Sequence, residues 1–161
     1  MNAEQNKLIE QLYNEMFDML LSYASASLED APLAEEAVQE TFQIACQKPE
    51  QLLESQNPKG WLVNTLKYTI RNIKRNRDHT RQILAKYLVM QTSDIAVSED
   101  KVSLQVMYGD LADTEEFKLL KEMAVDGKSH LEMAKARGIS VSACKKRVQR
   151  AKEKLQEKIS I

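Results

Sequence analysis

The stretch SHLEMAKARGISVSACKKRVQRA, residues 129–151, decides the fold of the second half of this chain. Ala134 is small enough to let two helices approach, and Gly138, four residues later, permits a tight turn between them. Ile139 fills the core beneath the turn, and Ser140 can cap the helix that follows. This layout predicts a helix-turn-helix, a motif whose second helix can enter the major groove of duplex DNA.

Both helices of the motif carry further signals. Ser129 followed by Glu132 is typical of a capping box, which starts a helix. The last helix has an apolar stripe made of Cys144, Val148, Ala151 and Leu155. Its other faces hold groups that read base edges or bind phosphates, and these are the candidate DNA-binding residues: Ser142, Ala143, Lys145, Lys146, Arg147, Gln149 and Arg150. A helical hairpin with a solvated cationic face is the alternative, which the coincidence of turn and basic face disfavours.

The composition of the 161 residues favours helices throughout. There are only 4 glycines and 3 prolines, too few for a turn-rich β fold, and aromatic residues make up 6%. Leu, Ala, Lys, Glu, Gln and Met are abundant, and these are good helix formers. With 43% hydrophobic and 29% charged residues, the chain is predicted to be globular and all-α, with one ordinary domain or two small ones.

Two helices are predicted near the N-terminus. Residues 5–26 form an amphipathic helix whose apolar stripe is Leu8, Leu12, Met16, Met19 and Tyr23. A second helix starts at residues 30–32, Asp-Ala-Pro, where Asp can cap and Pro fits the first turn, and Pro49 ends it. Its inward residues are Ala34, Ala37, Val38, Thr41, Phe42 and Ala45, while Glu35, Glu36, Gln39 and Glu40 mostly face outward.

A long helix is predicted in the middle of the chain. It follows a turn at residues 57–60, begins at Trp61 and runs to about Leu88, because neither Gly nor Pro interrupts it. Its buried stripe consists of Leu62, Leu66, Ile70 and Ile73. Cations lie about 100° round the helix on a neighbouring face, at Lys67, Arg71 and Lys74.

The helical period is lost at residues 89–97, VMQTSDIAV, which predicts a linker. Helices are predicted again at 98–111 and 113–125, the latter ended by Gly127 and carrying an apolar face of Phe117, Leu120, Met123 and Ala124. The sequence therefore predicts two small helical domains, residues 1–88 and 98–161, joined by the linker, with the helix-turn-helix in the second.

Charge is arranged in blocks, although the formal net charge is −1. Residues 1–56 carry 2 basic and 11 acidic side chains, whereas residues 59–87 carry 8 basic and 1 acidic. Residues 88–110 are acidic again, with 1 and 4, and residues 111–161 are basic, with 12 and 8. Two basic blocks in a chain without overall attraction to DNA predict weak DNA binding alone and stronger binding once a partner positions the protein.

Other classes of protein are disfavoured by what the sequence lacks. No stretch approaches the roughly 20 apolar residues of a membrane span, and the acidic, amphipathic N-terminus is not typical of a signal peptide. Cys46 and Cys144 are isolated, which suits a reducing cytoplasm. His79 and His130 have no carboxylate or cysteine at ligand spacing, and phosphate-loop, GxSxG and HExxH motifs are missing. The sequence therefore predicts a cytoplasmic protein without enzyme activity, cofactor, metal or membrane insertion.

Two separate stretches resemble one family. The end of the chain, GISVSACKKRVQRAKEKL, resembles the fourth conserved region of sigma-70-family factors, whose pattern is Gly-Ile-Ser-x-x-x-Val-Lys-x-Arg-Leu-x-Arg-Ala-x-x-x-Leu. LAEEAVQETFQIACQ and NPKGWLVNTLKYTIRNIKRNR resemble the second region, an acidic helix with a Gln-Glu-x-Phe signature and a basic helix that begins Trp-Leu. The first and third regions of larger factors have no room here, so the resemblance points to the compact, bacterial extracytoplasmic-function group.

The resemblance implies a role for each domain. A sigma factor binds core RNA polymerase and directs promoter-specific initiation, so residues 1–88 would melt and hold the −10 element and residues 98–161 would read the −35 element. Docking on the clamp helices of the largest polymerase subunit, β′, would use Glu35, Glu36, Gln39 and Glu40. The downstream element would be held by Lys67, Tyr68, Arg71, Asn72, Lys74 and Arg75. Trp61 is interpreted as a core residue, and Arg77 and Arg81 stay open between duplex phosphates and solvent.

The resemblance also implies further contacts of the second domain. Its last helix would read the upstream element with the candidate DNA-binding residues given above. Its outer surface would rest on the β flap of the polymerase, and an anti-sigma factor is a partner that the family commonly has.

The chain departs from the family pattern at several positions. Lys67-Tyr68 stands where the family often has Arg-Asn, which leaves the downstream base preference open. Arg137 takes a usually apolar place and is predicted to bury its stem and keep its head in water. Cys144 replaces the common Val as a small core residue, and Leu111-Ala112 stands for the usual Leu-Pro pair.

Two other functions remain open from the sequence. A repressor or activator that binds its operator alone, as a symmetric dimer, would also use a helix-turn-helix. Such a protein would need neither a strand-holding basic helix nor a polymerase-docking acidic helix. A pseudo-sigma factor would keep the polymerase interface and act only as an interaction protein.

Overall fold

Seven α-helices make up the described part of the chain. The structure is a computed structural model and describes residues 2–93 and 114–160, without the side chains of residues 91–93. The helices are α1 (Ala3–Leu28), α2 (Ala31–Gln47), α3 (Pro49–Glu54), α4 (Pro58–Ser93), α5 (Glu115–Ala124), α6 (His130–Arg137) and α7 (Val141–Ser160). The described residues contain no β-strand, so the predicted all-α fold is confirmed. The helix predicted at 98–111 lies outside the described residues.

The buried side of α1 differs from the predicted stripe. Leu12 and Met16 are buried as predicted, but Leu8, Met19 and Tyr23 are exposed at 38%, 52% and 43%. The buried residues are instead Ile9, Leu12, Met16, Leu20, Ala24 and Leu28. Two apolar stripes run side by side on this helix, and the helical period alone does not choose between neighbouring stripes.

Helix α2 agrees with its prediction at the start and along its length. Asp30 accepts a hydrogen bond from the backbone N–H of Leu33 at 3.0 Å, and all six predicted inward residues are buried. The helix ends at Gln47, before Pro49, as predicted, and Pro49 begins a further short helix, α3, that the sequence did not predict. Proline fits the first turn of a helix, because the N–H groups of that turn have no acceptor within the helix. The missing N–H of proline therefore removes no hydrogen bond there.

Helix α4 is longer than predicted at both ends. The predicted turn at residues 57–60 is the first turn of the helix, since the Asn57 side chain accepts a hydrogen bond from the Gly60 N–H at 3.1 Å. A Cβ atom at Gly60 would lie 2.6 Å from Nδ2 of Asn57, so glycine makes room for this cap. The helix then extends to Ser93, beyond the predicted end near Leu88.

Two compact units divide the chain, Met1–Arg75 and Asn76–Ile161. The core of the first unit joins α1, α2 and α3 to the early part of α4, through Leu62, Leu66 and Ile70. The core of the second unit joins the late part of α4 to α5, α6 and α7. The division falls inside α4, whereas the boundaries at residues 88 and 98 remain predictions.

Candidate nucleic-acid interface

The first half of α4 carries the six residues predicted to hold the downstream element. Five of them are exposed and Asn72 is half-buried; the exposed ones are Lys67, Tyr68, Arg71, Lys74 and Arg75. At about 100° per residue they spread over the side of α4 that faces away from the core. The Arg75 guanidinium donates to Oδ1 of Asn72 at 2.9 Å. No acidic residue occurs between Lys59 and Arg77 in the sequence, so this side of the helix presents an uninterrupted cationic row.

An open cavity of about 380 Å³ lies beside this row. It is lined by Ile44, Gln47, Lys48, Gln51, Trp61, Asn64, Thr65 and Tyr68. Trp61 and Tyr68 contribute planar rings, and Trp61 also packs against the core, as predicted. The Thr65 hydroxyl donates to the Trp61 carbonyl at 2.8 Å. The larger polar groups of the lining are the ammonium group of Lys48 and the amides of Gln47, Gln51 and Asn64. Planar walls with amide donors and acceptors suit an unstacked nucleobase.

Lys67 has a neighbour that the sequence did not indicate. Its Nζ atom lies 6.0 Å from the ring centroid of Tyr23 on α1, which is within reach of a cation–π interaction. The periodicity of α1 had placed Tyr23 in the apolar core stripe. The contact depends on how α1 packs against α4, which the period of a single helix does not show.

Arg81, which the sequence left open between phosphate and solvent, makes an internal contact. Its Nε atom donates to the carbonyl of Ala124 at 2.6 Å, and its guanidinium lies 3.9 Å from Asp78. A cation that donates to the last carbonyls of a helix is favourable because the negative end of the helix dipole lies there. Arg81 therefore stabilises the C-terminus of α5. The Nε atom of Arg77 is buried and has no hydrogen-bond partner among the described residues.

The helix-turn-helix is confirmed in the second unit. Ser129 accepts a hydrogen bond from the Glu132 N–H at 3.1 Å and starts α6. Gly138 adopts the left-handed conformation, with φ of 64°, and ends α6. Ser140 then accepts a hydrogen bond from the Ala143 N–H at 3.1 Å and starts α7. Ala134 is buried between the helices, and Ile139 packs against the core below the turn, as predicted.

Helix α7 presents its polar residues on the side away from the core. The predicted stripe of Cys144, Val148, Ala151 and Leu155 is buried. Five candidate DNA-binding residues are exposed and two are half-buried, namely Ala143 and Lys145; the exposed ones are Ser142, Lys146, Arg147, Gln149 and Arg150. Arg147 and Arg150 also line a cavity of about 230 Å³ together with Glu115 and Glu116 of α5. The two arginines therefore lie on the flank of α7 that is nearer to α5.

Ion pairs join the motif to α5. The head of Arg137 is not in water as predicted, because its side chain is only 16% exposed and its Nη1 atom lies 2.8 Å from Glu122 and its Nε atom 3.4 Å from Glu115. Burial by itself would lower the pKa of the Arg137 guanidinium, but the hydrogen bonds and charges of Glu122 and Glu115 outweigh burial and raise it. On α7, Lys154 donates to Glu116 at 2.9 Å, and this hydrogen bond lowers the pKa of the Glu116 carboxyl.

The four residues predicted to dock on polymerase share the outward side of α2. Glu35 and Gln39 are exposed, and Glu36 and Glu40 are half-buried. The opposite side of α2 is buried in the core of the first unit. The outward side of α2 is therefore mostly acidic.

Sequence reasoning missed three groups of residues around these surfaces. The amides of the cavity near Trp61 carry no charge or spacing signal, and Tyr23 was assigned to the core. Arg137 was recognised as unusual, and acidic residues at Glu115 and Glu122 on the preceding helix were the signal that could have shown its partners.

Comparisons with protein-family models give matches to two separate parts of the chain. A family model for Sigma-70 region 2 matches residues 12–80. A family model for Sigma-70 region 4 matches residues 114–155, and the two together cover more than half of the chain. The comparison with curated proteins gave no match. None of the described helices is both long and apolar enough to cross a membrane.

Proposed function

Since the chain belongs to the sigma-70 family, with a region 2 and a region 4 that fit the extracytoplasmic-function type, we propose that it binds core RNA polymerase and directs initiation at its own promoters. The observation that carries the proposal is the pairing of a region 2 that bears the cationic row of α4 with a region 4 that contains a helix-turn-helix. The two regions occur in the family's order. Their general role in promoter recognition follows from the family.

Region 2 holds the melted −10 element in this proposal. Strand capture needs cations for phosphates and planar groups for splayed bases, and α4 supplies both within two helical turns at Lys67, Tyr68, Arg71 and Lys74. Arg75 positions the amide of Asn72 through their hydrogen bond. The cavity beside Tyr68, with a volume of about 380 Å³, planar rings and polar side chains, would hold one unstacked base.

Region 4 reads the −35 element through α7. Ser142, Lys146 and Gln149 lie on the outward side of the recognition helix, where base edges and phosphates of a major groove can be reached. The N-terminal turn of α7 is capped by Ser140, and the positive end of the helix dipole lies at this N-terminus, which favours a phosphate. Arg147 and Arg150 on the flank nearer to α5 add phosphate contacts rather than base contacts.

Polymerase docking is assigned to the acidic side of α2 and to the outer surface of region 4. The acidic α2 surface requires a basic partner, and the β′ clamp helices are the family's partner at this place. The outer surface of region 4 would rest on the β flap. An anti-sigma factor would compete for the same acidic and basic surfaces.

The decisive experiment is co-elution of the purified chain with bacterial core RNA polymerase in size exclusion, with and without promoter-library DNA. We expect co-elution with core and retention of selective DNA only when core is present. Tight, selective DNA binding by the chain alone, without core, would instead establish an autonomous regulator. Core binding without transcription from any retained DNA would establish a pseudo-sigma factor.

Two alanine variants separate the roles of α4 and α7. Arg71→Ala is expected to impair promoter opening, read by permanganate reactivity of unpaired thymines, and to leave upstream duplex binding unchanged. Lys146→Ala is expected to weaken upstream duplex binding and to reduce the slope of log K against log salt by about 1, the loss of one phosphate contact. Lys7→Ala and Lys118→Ala are matched controls, since both remove an exposed cation outside the cationic row of α4 and outside α7. If both test variants lowered only nonspecific DNA binding, the assignment of two promoter-reading modules would be wrong.

A further inference from the structure

Tyr23 is an exposed aromatic residue that the proposed strand-holding set does not include. Its side chain is 43% exposed, although apolar periodicity would place it in the core. A single exposed aromatic residue is ordinary on a protein surface and by itself carries no function. Tyr23 differs from such a residue because it lies beside Lys67 and within an uncharged stretch of α1.

Two contacts define where Tyr23 lies. Glu15 of α1 forms an ion pair of 3.4 Å with Lys59 of α4, and eight residues later on both helices Tyr23 meets Lys67 at 6.0 Å. The equal spacing shows that α1 and α4 run side by side in the same direction over this stretch. Tyr23 therefore stands at the edge of the cationic row, beside one of its members.

The charge around Tyr23 differs from the charge of the rest of α1 and α2. Residues 1–56 carry 11 acidic side chains, but Met19–Leu28 carries no charged residue at all. The nearest carboxylate toward α4 with a described contact, Glu15, is paired with Lys59, and the pKa of Glu15 is lowered by a hydrogen bond from Gln11 and by Lys59. Asp18, the other nearby carboxylate of α1, lies about 140° round the helix from Tyr23. A polyanion can therefore approach Tyr23 from the side of α4 without meeting an unpaired carboxylate of α1.

We propose that Tyr23, held beside Lys67, is a stacking platform for an unpaired base of the melted promoter strand. A nucleotide in a single strand needs a cation for its phosphate and a planar group for its base, and Lys67 and Tyr23 provide this pair on adjacent helices. The platform lies on the flank of α4 away from Tyr68 and the cavity, because Lys67 and Tyr68 are about 100° apart on the helix. It would therefore hold a different nucleotide from the one taken by the cavity.

This inference rests on the proposed function and extends it to one residue of α1. The alternative binding partner of the exposed Tyr23 ring is the polymerase itself. The charge pattern favours DNA, because the ring is next to a cation and within an uncharged stretch, whereas the acidic side of α2 is the surface suited to a basic protein partner.

The test uses the full chain with core RNA polymerase on a promoter that the wild-type complex selects from a random library. 5-Iodouracil is placed at one position at a time along the non-template strand, the open complex is irradiated, and the cross-linked peptide is identified by mass spectrometry. We expect a cross-link to Tyr23 from one unpaired position. Tyr23→Leu should abolish it and shorten the lifetime of the open complex about tenfold, the order expected for one lost base–aromatic stack. Tyr23→Phe keeps the ring and should retain both.

Leu8→Ala is the matched control, since it removes exposed apolar surface from the same helix roughly 22 Å away along its axis. Thermal unfolding of each variant shows whether it folds. No cross-link to Tyr23 in the wild type, or a Tyr23→Leu lifetime equal to that of Leu8→Ala, would overturn the inference and leave the proposed function intact. Weaker assembly of Tyr23→Leu with core in the absence of DNA would assign Tyr23 to the polymerase interface and also overturn it. If the wild-type chain does not bind core at all, the proposed function fails and the inference fails with it.

Discussion

At the scale of single residues, two positions favour glycine for different physical reasons. Gly138 has a φ of 64°, and a Cβ atom added there would meet nothing within 4 Å. The left-handed backbone, and not crowding, therefore selects glycine at the turn of the helix-turn-helix. At Gly60 the reason is crowding, because a Cβ atom would displace the Asn57 side chain that caps α4.

A pair of substitutions at position 138 tests the conformational explanation. Gly138→Val should destabilise the protein by about 1–2 kcal/mol or more, since a β-branched residue tolerates the left-handed region poorly, and Gly138→Asn should cost less. The measurement is thermal unfolding followed by circular dichroism. Ala136→Val, two residues earlier in regular helix and also exposed, introduces the same side chain and should cost only about 0.5 kcal/mol. Equal effects of the two valine variants would contradict the explanation.

At the scale of helices, the partly buried ion pairs of Arg137 join α6 to α5. Arg137 ends α6 and reaches both Glu115 and Glu122, at the start and near the end of α5. The orientation of α6 sets the direction in which the turn at Gly138 places α7. A side chain expected to face water therefore helps to position the helix that is proposed to read DNA.

Replacing Arg137 by Met tests this positioning role. Arg137→Met keeps the apolar stem and leaves the half-buried Glu122 without the hydrogen bond from Arg137, which should cost about 2 kcal/mol of unfolding free energy. Lys135→Met on the same helix removes an exposed cation and should change stability by less than about 0.5 kcal/mol. Denaturant unfolding measures both. Comparable small effects would mean that the Arg137 ion pairs contribute nothing beyond an ordinary surface pair.

At the scale of the whole molecule, α4 supplies residues to the cores of both units. Leu62, Leu66 and Ile70 are buried in the first unit, and Ile83, Leu84 and Tyr87 in the second. Tyr87 lies 6.2 Å, ring centroid to centroid, from Phe117 of α5, and Lys158 of α7 lies 5.8 Å over the Tyr87 ring. The late part of α4 thus completes the packing of region 4, although it precedes residue 98, where the second domain was predicted to start.

Hydrogen exchange on two leucine variants tests this division. Leu84→Ala and Leu66→Ala each remove a buried side chain of the same helix and should each cost about 2–5 kcal/mol. We expect Leu84→Ala to speed amide exchange in α6 and α7, and Leu66→Ala to speed exchange in α1 and α2. Faster exchange of α1 and α2 in the Leu84→Ala variant would instead support the predicted domain boundary at residue 88.

The candidate site was predictable where its residues lie in one helix. The cations of α4 and the polar residues of α7 follow from spacing alone, because residues three or four apart share a face of a helix. The cavity near Trp61 was not predictable, because its amides come from α2, α3 and α4. Tyr23 was also not predictable, because its contact with Lys67 depends on the register of α1 against α4.

The sequence by itself determined the all-α fold, the caps and turn of the helix-turn-helix, and the two matches to the sigma-70 family. The caps and the turn depend on contacts within a few residues, such as Ser129 with Glu132 and Ser140 with Ala143. Only the tertiary structure decided which stripe of α1 is buried. It also decided that Arg81 and Arg137 contact α5 and that the end of α4 packs with region 4. Those outcomes depend on which surfaces of separate helices meet, and the periodicity of one helix carries no information about its partner.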